Sequence, residues 1–298
     1  MRIAVLAARD SWYFADLVRA AGGAHELAAA SYKSLGSWLR GGELNVTAAG
    51  AMLGDFDAIL VRSMPPGSLE QVVFRMDALA QLQARGLAVV NPAKAIETAV
   101  DKYLAAARLQ AAGFLVPPTI VCQTATDALE AFETLDGDVV VKPLFGGEGR
   151  GITRVSDAAV ARRVFMALEQ IGAVLYLQQF VPHDGVDWRL LVVGDEVFGM
   201  QRINHDDWRT NISLGARPAP LDVTVELASL ARQAAAAVGA TVAGVDLLPA
   251  RDGRLYALEV NAVPGWRALA EVTDIDVAKR VLHLISPGHP GQPGVTAS

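Results

Sequence analysis

Two carboxylates and an amide near the carboxyl end of the chain have the spacing of a metal site. The stretch TVAGVDLLPARDGRLYALEVNAVPG reads as two apolar strands around a turn at ARDG. If the hairpin closes symmetrically around that turn, Asp246 lies opposite Ala257. Glu259 and Asn261 then follow on the same face. Burying two carboxylates among apolar residues is expensive unless a cation compensates, and oxygen ligands without His or Cys suit Mg²⁺. The pattern predicts a magnesium site; the alternative is a pair of carboxylates held by arginines or exposed on a solvated sheet face.

A glycine-rich stretch in the middle of the chain could contact phosphates. VVVKPLFGGEGRGITRV places Lys142 before four glycines in six residues. A P-loop needs its lysine after the glycines, and a dinucleotide fingerprint needs the glycines to open a helix, whereas ITRV predicts another strand. What remains is a strand–loop–strand flap whose N–H groups can cover phosphates while Lys142 supplies positive charge. The alternative is a mobile loop between edge strands.

The composition is that of a globular protein without a nucleic-acid partner. Hydrophobic residues make up 52% and charged residues 19% of the 298 residues, and the formal net charge is −6. An acidic chain offers no basic face to displace counterions from nucleic acid. The single cysteine, Cys122, excludes an intramolecular disulfide and fits a reducing compartment, so we expect a cytoplasmic protein. No stretch approaches the ~20 apolar residues of a membrane span, so no membrane partner is expected.

Buried strands alternate with helices in the first third of the chain. RIAVLAA, FDAILV and LAVVN predict strands, and SLEQVVFRMDALAQLQARG predicts a helix with an N-cap serine. Such alternation predicts a parallel sheet with covered faces over residues 1–95. AIETAVDKYLAAARLQAAG then predicts one amphipathic helix that Gly113 ends and that leads into a second unit.

The rest of the chain predicts two further units and a tail. The middle unit, residues 96–182, combines the strand VVVKPLF, the glycine loop, a helix at 157–171 and the strand VLYLQQFV. The last unit, residues 183–285, contains antiparallel strands, a helix at 221–238 and the carboxylate hairpin. Residues 286–298 are rich in Pro and Gly, which predicts disorder.

Six separate segments carry a resemblance to a known family. They are NPAKAIETAVDKYLAAARLQAAGFLVPPT, VVVKPLFGGEGRGI, LQQFVPHDGVDWRLLVVGDEVFGMQR, WRTNISLGA, VAGVDLL and LEVNAVPGW. In this order they resemble the ATP-grasp carboxylate–amine ligases, and among them the RimK-like amino-acid ligases, over roughly residues 1–285. The resemblance implies an α/β and α+β fold class. It implies an ATP-grasp fold with a Rossmann-like N-terminal (pre-ATP-grasp) domain, followed by a small subdomain at 96–182 and a C-terminal subdomain at 183–285.

The resemblance also implies which residues bind the nucleotide. Lys102 and Lys142 match the two lysines that reach the phosphates. The flap and the hinge strand after it are expected to supply further contacts: Gly147, Glu148, Gly149, Arg150 and Gly151 from the flap, and Gln178, Gln179, Phe180 and Val181 from the hinge. Many relatives have an acidic residue and a tyrosine at the positions of Gln179 and Phe180, so this chain departs from that pattern.

Charged residues in the later motifs are matched to phosphate and substrate binding. Asp187 and Arg189 match the family's Asp-x-Arg motif and are expected at the nucleotide. The residues expected to be catalytic are Lys142, Arg202, Arg209 and Asn211. Guanidinium groups bind phosphate and carboxylate in bidentate fashion, so three converging arginines suit the γ-phosphate and a carboxylate substrate. The alternative for each arginine is a solvated surface charge.

The activity implied by the resemblance is ATP-dependent amide or peptide bond formation through an acyl phosphate. The expected cofactors are ATP and Mg²⁺, with Mn²⁺ as a substitute. Glutamate is the favoured amino donor, and the acceptor is a carboxylate on a small-molecule cofactor such as tetrahydromethanopterin or on a protein or peptide. Arg62, which ends the second predicted strand, is a candidate to hold a carboxylate. The alternatives are a non-catalytic ATP-binding regulator and another ATP-grasp ligase, such as a D-amino-acid dipeptide ligase. A homo-oligomer is compatible with the family.

Overall fold

The N-terminal part of the chain forms a parallel sheet covered by helices. The computed structural model describes residues 1–147 and 149–286; the predicted disordered tail therefore lies, from residue 287 onwards, outside the described residues. The first elements are β1 (Arg2–Leu6), α1 (Trp12–Ala21), β2 (Glu26–Ala30), β3 (Gly36–Arg40), β4 (Glu43–Ala48), β5 (Ala51–Met52), β6 (Ala58–Val61), α2 (Leu69–Ala84) and β7 (Ala88–Val90). The parallel order β2-β1-β6-β7 confirms the predicted sheet.

A second, antiparallel sheet in this part of the chain was not predicted. It has the order β3-β4-β5 and follows the edge strand β2. The β2 sequence, ELAAA, contains no β-branched or aromatic residue, so its composition favours a helix as much as a strand. Pairing with β1, rather than intrinsic propensity, therefore determines the conformation of β2.

The helical connection to the middle of the chain consists of two helices, α3 (Ala93–Val100) and α4 (Lys102–Ala111), where the sequence predicts one. Asp101 separates them. Its side chain accepts hydrogen bonds from the N–H groups of Tyr103 (2.9 Å) and Leu104 (3.0 Å), and thereby caps α4. The break places Lys102 at the first position of a helix, next to the glycine-rich loop.

The middle of the chain forms a small antiparallel sheet with a hydrophobic core of its own. Its elements are β8 (Thr119–Cys122), α5 (Ala125–Thr134), β9 (Val139–Lys142), β10 (Thr153–Val155), α6 (Ala158–Gln170) and β11 (Leu175–Gln179). The strand order is β10-β9-β11-β8, and Phe132, Phe165 and Leu177 fill the space between the sheet and its helices. Because β9 and β10 pair antiparallel, the glycine loop is a strand–loop–strand flap, as predicted.

The last part of the chain forms a five-stranded antiparallel sheet. Its elements are β12 (Val186–Val193), β13 (Glu196–Ile203), β14 (Arg217–Pro220), α7 (Val225–Val238), β15 (Val242–Pro249), β16 (Leu255–Asn261), α8 (Arg267–Thr273) and α9 (Val277–Ile285). The strand order is β14-β13-β12-β15-β16. One face packs on α4 and α7 in a core that continues into the N-terminal sheet. No helix among the described residues is both long and apolar enough to span a membrane.

The register of the carboxylate hairpin differs from the symmetric closure that the sequence suggests. The register between β15 and β16 shifts between Asp246 and Leu247, so Asp246 lies opposite Glu259, and Ala257 lies opposite Leu247. Ala257 consequently faces the apolar core on the other side of the sheet. The predicted pairing of Asp246 with Ala257 is therefore wrong. Because the bulge shifts the alternation by one residue, Asp246 and Glu259 still share a face.

Asn91 joins the N-terminal sheet to the ends of β15 and β16. Its amide Nδ2 donates to the carbonyl oxygens of Val242 (2.6 Å) and Ala262, and its Oδ1 accepts from the N–H groups of Thr241 (2.8 Å) and Val242 (2.9 Å). Asn91 is only 2% exposed. A fully satisfied buried amide of this kind fixes the backbone directly after Asn261.

Candidate active site

A buried network of two acids and one arginine lies on the site-facing side of the large sheet. Arg202 and Asp187 are opposite each other on β13 and β12. Arg202 donates through Nε to Asp187 Oδ1 (2.7 Å), and its Nη2 also lies 2.9 Å from Asp246 Oδ2. The Thr210 hydroxyl donates to Asp187 Oδ2 at 2.6 Å. Burial raises the pKa of Asp187, although the positive charge of Arg202 opposes this shift. The pKa of Arg202 is also raised, because the two acids outweigh burial, which by itself would lower it.

Arg189 provides a second cation for Asp246. The two residues are opposite each other on β12 and β15. Nη2 of Arg189 donates to Asp246 Oδ2 at 2.9 Å, and its Nε lies against Oδ1. A Cβ at Gly244 would clash with Arg189 Nη1 and lie 3.0 Å from Pro264, so a glycine at this position leaves room for the guanidinium. Asp246 is thus held by two arginines, as the alternative interpretation of the carboxylates anticipated.

The two predicted phosphate-binding lysines have no carboxylate in hydrogen-bond contact among the described residues. Lys142 Nζ donates to Gln178 Oε1 at 2.6 Å, and Gln178 in turn donates to the Thr119 hydroxyl at 3.0 Å. Lys102 Nζ donates to the Gly146 carbonyl in the flap at 2.6 Å. Desolvation lowers the pKa of Lys142 to about 8, with Glu259 opposing it, and desolvation lowers the pKa of Lys102 as well. Both ammonium groups are therefore placed where an anion would stabilise their charge.

Glu259 faces the two lysines from the large sheet. Lys102, Lys142 and Glu259 line one small recess together with Tyr176. Within residues 1–147 and 149–286, the side chain of Glu259 makes no hydrogen bond, whereas Asn261 Oδ1 accepts one from the Val263 N–H at 2.8 Å. Glu259 is therefore the acid of this face that is not already held by an arginine.

The donor set of the predicted metal site consists of two carboxylates and one amide. No group of three or more His, Cys, Asp or Glu side chains suited to a metal exists among the residues that the structure describes. Asp246, Glu259 and Asn261 nevertheless contribute only oxygen atoms from one face of β15 and β16. Oxygen donors with one uncommitted carboxylate fit a hard cation such as Mg²⁺, which is commonly bound by one or two carboxylates together with substrate phosphates.

The predicted convergence of three arginines is found for two of them. Arg189 and Arg202 meet at Asp246, whereas Arg209 pairs with Asp207 through Nη2 and Oδ2 at 2.6 Å. This hydrogen bond raises the pKa of Arg209 and lowers that of Asp207. Arg209 therefore lies in the polar loop next to the network rather than in it, and its catalytic role stays a prediction.

The flap lies directly against this polar loop. Gly149 has a φ of +72°, and a Cβ at that position would lie 2.5 Å from Asn211 Oδ1. Gly151 has a φ of +73°, and the Arg150 N–H donates to the Gly147 carbonyl at 3.3 Å. A left-handed conformation with so little space favours glycine. Glu148, which was also predicted to bind ATP, lies outside the described residues.

The hinge between the small and large sheets places its four predicted residues in different surroundings. Gln178 points to Lys142, while Gln179 Nε2 donates to Asp136 Oδ2 at 2.6 Å. Val181 is buried against Leu248 and Tyr256. The N–H groups of Gln179 and Phe180 already donate to carbonyl oxygens, but the Val181 N–H donates to no other described group.

Phe180 belongs to a cluster that the sequence did not reveal. The Arg154 guanidinium lies 3.4 Å from the centroid of the Phe180 ring and also forms two hydrogen bonds to Asp138. Trp208 packs edge-on against the same ring, with centroids 5.9 Å apart. Arg154 lies on β10, in the ITRV segment that follows the glycines, but nothing in its spacing indicated a contact with Phe180. Thr210, by contrast, lies between Arg209 and Asn211 in RTN and could have been singled out.

Comparison with known proteins agrees with this geometry. A family model described as the RimK-like ATP-grasp domain matches residues 99–285, and the chain belongs to this family. Tetrahydromethanopterin:α-L-glutamate ligase of Methanosarcina acetivorans is 31% identical over 78% of this chain and 81% of the relative. A probable α-L-glutamate ligase of Trichodesmium erythraeum is 28% identical over 96% of both chains. The predicted family and the enzyme class, an ATP-dependent carboxylate–amine ligase, are thereby confirmed.

Solved structures agree on the fold. The RimK domain ATP-grasp protein of Sphaerobacter thermophilus has a TM-score of 0.74 at 24% identity, and the match covers 95% of this chain and 98% of that protein. The ATP-grasp ligase PsnB, solved with a minimal precursor, has a TM-score of 0.75 at 19% identity over 95% of this chain and 97% of that one. The predicted ATP-grasp fold class is confirmed.

Proposed function

We propose that this ligase joins the amino group of L-glutamate to a carboxylate of an acceptor, with ATP and Mg²⁺. Support for glutamate comes from relatives such as the ligase of Methanosarcina acetivorans and a glutamate–LysW ligase of Sulfolobus acidocaldarius, which is 26% identical over 78% of this chain. The name of the first relative gives tetrahydromethanopterin as the acceptor, and the name of the second gives LysW. We therefore propose an acceptor carboxylate on a pterin-type cofactor or at the end of a peptide.

One observation carries the proposal: Glu259 and Asp246 are opposite each other on the large sheet, and Lys142 and Lys102 approach Glu259 from the small sheet and its entry helix. Acids on one side and desolvated lysines on the other form a recess that suits a polyphosphate with a bound cation. Asp246, Glu259 and Asn261 would hold Mg²⁺, which neutralises phosphate charge during transfer of the γ-phosphoryl group.

The side chains of this protein would position and neutralise the reactants rather than react themselves. An oxygen of the acceptor carboxylate attacks the γ-phosphorus of ATP, the bond to the bridging oxygen breaks, and ADP leaves. The glutamate amine then attacks the acyl carbon, loses a proton, and displaces inorganic phosphate. Lys142 and Lys102 bind the phosphates, and the flap next to Asn211 excludes water, which would otherwise hydrolyse the acyl phosphate.

The hinge supplies the base site in this proposal. The Val181 N–H is available to a ring nitrogen of adenine, because those of Gln179 and Phe180 are already bonded. Because the Gln179 side chain is hydrogen-bonded to Asp136, we do not assign it the role of the acidic residue that many relatives have at this position. Use of Mn²⁺ in place of Mg²⁺, assembly into a homo-oligomer, a cytoplasmic location and the three domain boundaries stay predictions.

Product analysis tests the proposed function. The full chain is incubated with ATP, Mg²⁺, labelled L-glutamate and one acceptor at a time: tetrahydromethanopterin, N-acetyl-L-glutamate or a glutamate-terminated peptide. We expect acceptor-dependent ADP release and a product heavier by one glutamyl residue, both reduced about a hundredfold in the Glu259→Gln variant. ATP binding without ADP release for every acceptor would instead indicate a non-catalytic regulator. Product formation with D-alanine but not with L-glutamate would indicate a D-amino-acid dipeptide ligase.

A further inference from the structure

Arg62 is a buried cation that the proposed reaction has not yet used. It follows β6 at the carboxyl end of the parallel N-terminal sheet and keeps only 7% of its surface accessible. Its Nη2 donates to the Pro264 carbonyl, which is the only hydrogen bond that its guanidinium makes among the described residues. Nε is enclosed and has no partner there. A buried guanidinium normally has a carboxylate or several acceptors, so this one lacks the expected anion.

Two aromatic rings hold the Arg62 guanidinium in place. Its central carbon lies 4.0 Å from the ring centroid of Trp266 and 5.2 Å from that of Tyr13. Desolvation lowers the pKa of Arg62 to about 10, and no carboxylate opposes this effect. Of the acids that the structure describes, only Asp16 is bonded to this cluster, and it accepts from Trp266 Nε1 at 2.9 Å and from Arg19. Stacking between rings fixes the plane of the guanidinium but leaves its charge uncompensated.

The position of Arg62 connects it to the site through a single loop. Pro264, whose carbonyl it binds, is three residues after Asn261 and lies next to Gly244 of the large sheet, which Arg189 also approaches. Ligands of parallel sheets bind at the carboxyl ends of the strands, and the end of β6 is therefore where a substrate would approach from the N-terminal side. Both proposed substrates of the reaction carry carboxylates.

We propose that Arg62 binds a carboxylate of one of the two substrates, the amino donor or the acceptor, and thereby orients that substrate at the acyl-transfer site. This assignment rests on the proposed function. The stacked guanidinium offers Nη1, which is not enclosed and makes no hydrogen bond among the described residues, to an anion in a fixed orientation. The bound carboxylate compensates a charge that the described residues leave without an acid. Tyr13 closes over Gly265, where a Cβ would lie 2.5 Å from its hydroxyl, so the loop and the aromatic clamp form one unit.

Calorimetric titration tests the assignment without requiring turnover. L-glutamate and N-acetyl-L-glutamate, which cannot act as an amino donor, are titrated separately into the full chain carrying ADP and Mg²⁺. We expect Arg62→Lys and Arg62→Gln to weaken binding of one of the two by about tenfold or more, because the charge-assisted hydrogen bond from the guanidinium is lost. ADP affinity should stay within about twofold of the original value. The probe whose binding weakens shows whether Arg62 binds the donor or the acceptor.

Arg75→Gln is the matched control. Arg75 is 6% exposed, donates to the Pro65 carbonyl at 2.7 Å and lies over the Tyr32 ring, but it belongs to α2 and has no contact with the loop after Asn261. We expect its variant to bind both probes as the original chain does. Unchanged binding in both Arg62 variants, weakening of ADP along with both probes, or no binding of either probe by the original chain would overturn the assignment. Failure of the proposed function shows separately, as absence of acceptor-dependent ADP release.

Discussion

The charged residues on the two sides of the candidate site differ in whether neighbouring side chains balance their charges. On the large sheet, Asp187, Arg202, Asp246 and Arg189 compensate one another in a buried network. On the other side, Lys142 and Lys102 are desolvated, and among the described residues their ammonium groups bond only to an amide oxygen and a carbonyl oxygen. The charges of the first group balance one another without a ligand, whereas the charges of the second group would be balanced by a bound anion. The buried network therefore acts as a rigid support for the strands that carry the proposed Mg²⁺ ligands, and the positive charge of the lysines depends on a bound ligand for its compensation.

The strongest test of this contrast removes the central cation of the network. Arg202→Met leaves Asp187 and Asp246 buried with one partner fewer, and we expect the free energy of unfolding to fall by roughly 3–5 kcal/mol. Urea unfolding followed by circular dichroism measures the change. Arg254→Met is the control, since Arg254 pairs with Asp252 on the surface and its loss should have no measurable effect. A decrease no larger than that of the control would show that the network does not support the fold.

The second prediction concerns the lysine side, where stability and activity should separate. Lys142→Met removes a desolvated cation that has no carboxylate in hydrogen-bond contact within the described part of the chain, so we expect the free energy of unfolding to change by no more than about 1 kcal/mol. Turnover should fall by about a hundredfold to a thousandfold, because phosphate charge is no longer neutralised. Unfolding curves and ADP release are measured on the same preparation. A stability loss comparable to that of the Arg202 variant would make Lys142 a structural cation and remove the contrast.

The third prediction separates Glu259 from Asp246, which the sequence treats as equivalent. Glu259→Gln should lower turnover by about a hundredfold and raise the Mg²⁺ concentration needed for half-maximal rate, while the fold stays intact. Asp246→Asn should also lower stability, because Arg189 and Arg202 lose a charge partner. Glu271→Gln, which removes an acid from an exposed pair with Arg267, is the control. Unchanged ADP release in the Glu259 variant would contradict the metal assignment.

Much of the fold and the membership of the site could be predicted from the sequence, but the pairing of charges could not. Hydrophobic runs predict most strands, and motif order places Lys142 and Asp246 in one site. The bulge after Asp246 is invisible, because Leu258 would be apolar on either face of the sheet. Which acid each arginine holds depends on cross-strand register, which puts Arg202 opposite Asp187 and leaves Arg209 to its local partner.

The smallest expected effect is a pH dependence of nucleotide affinity. In the free protein the pKa of Lys142 is about 8, and phosphate binding favours its protonated form. As the pH rises through about 8, more of the free protein must take up a proton before it binds ATP. We therefore expect ATP affinity to be constant below this pH and to fall above it by up to about tenfold per pH unit. Calorimetry with Mg²⁺ and a non-hydrolysable ATP analogue measures the affinity.

Two variants test whether Lys142 causes this pH dependence. Lys142→Arg carries a guanidinium that stays protonated, so its affinity should remain nearly constant between about pH 7 and pH 9. Lys102→Arg keeps Lys142 in place and should retain the decrease. An equal decrease in the Lys142 variant would assign the titration to another group, and a flat profile in the unmodified chain would mean that Lys142 is already compensated. Either result would remove the contrast in charge compensation between the lysines and the network on the large sheet.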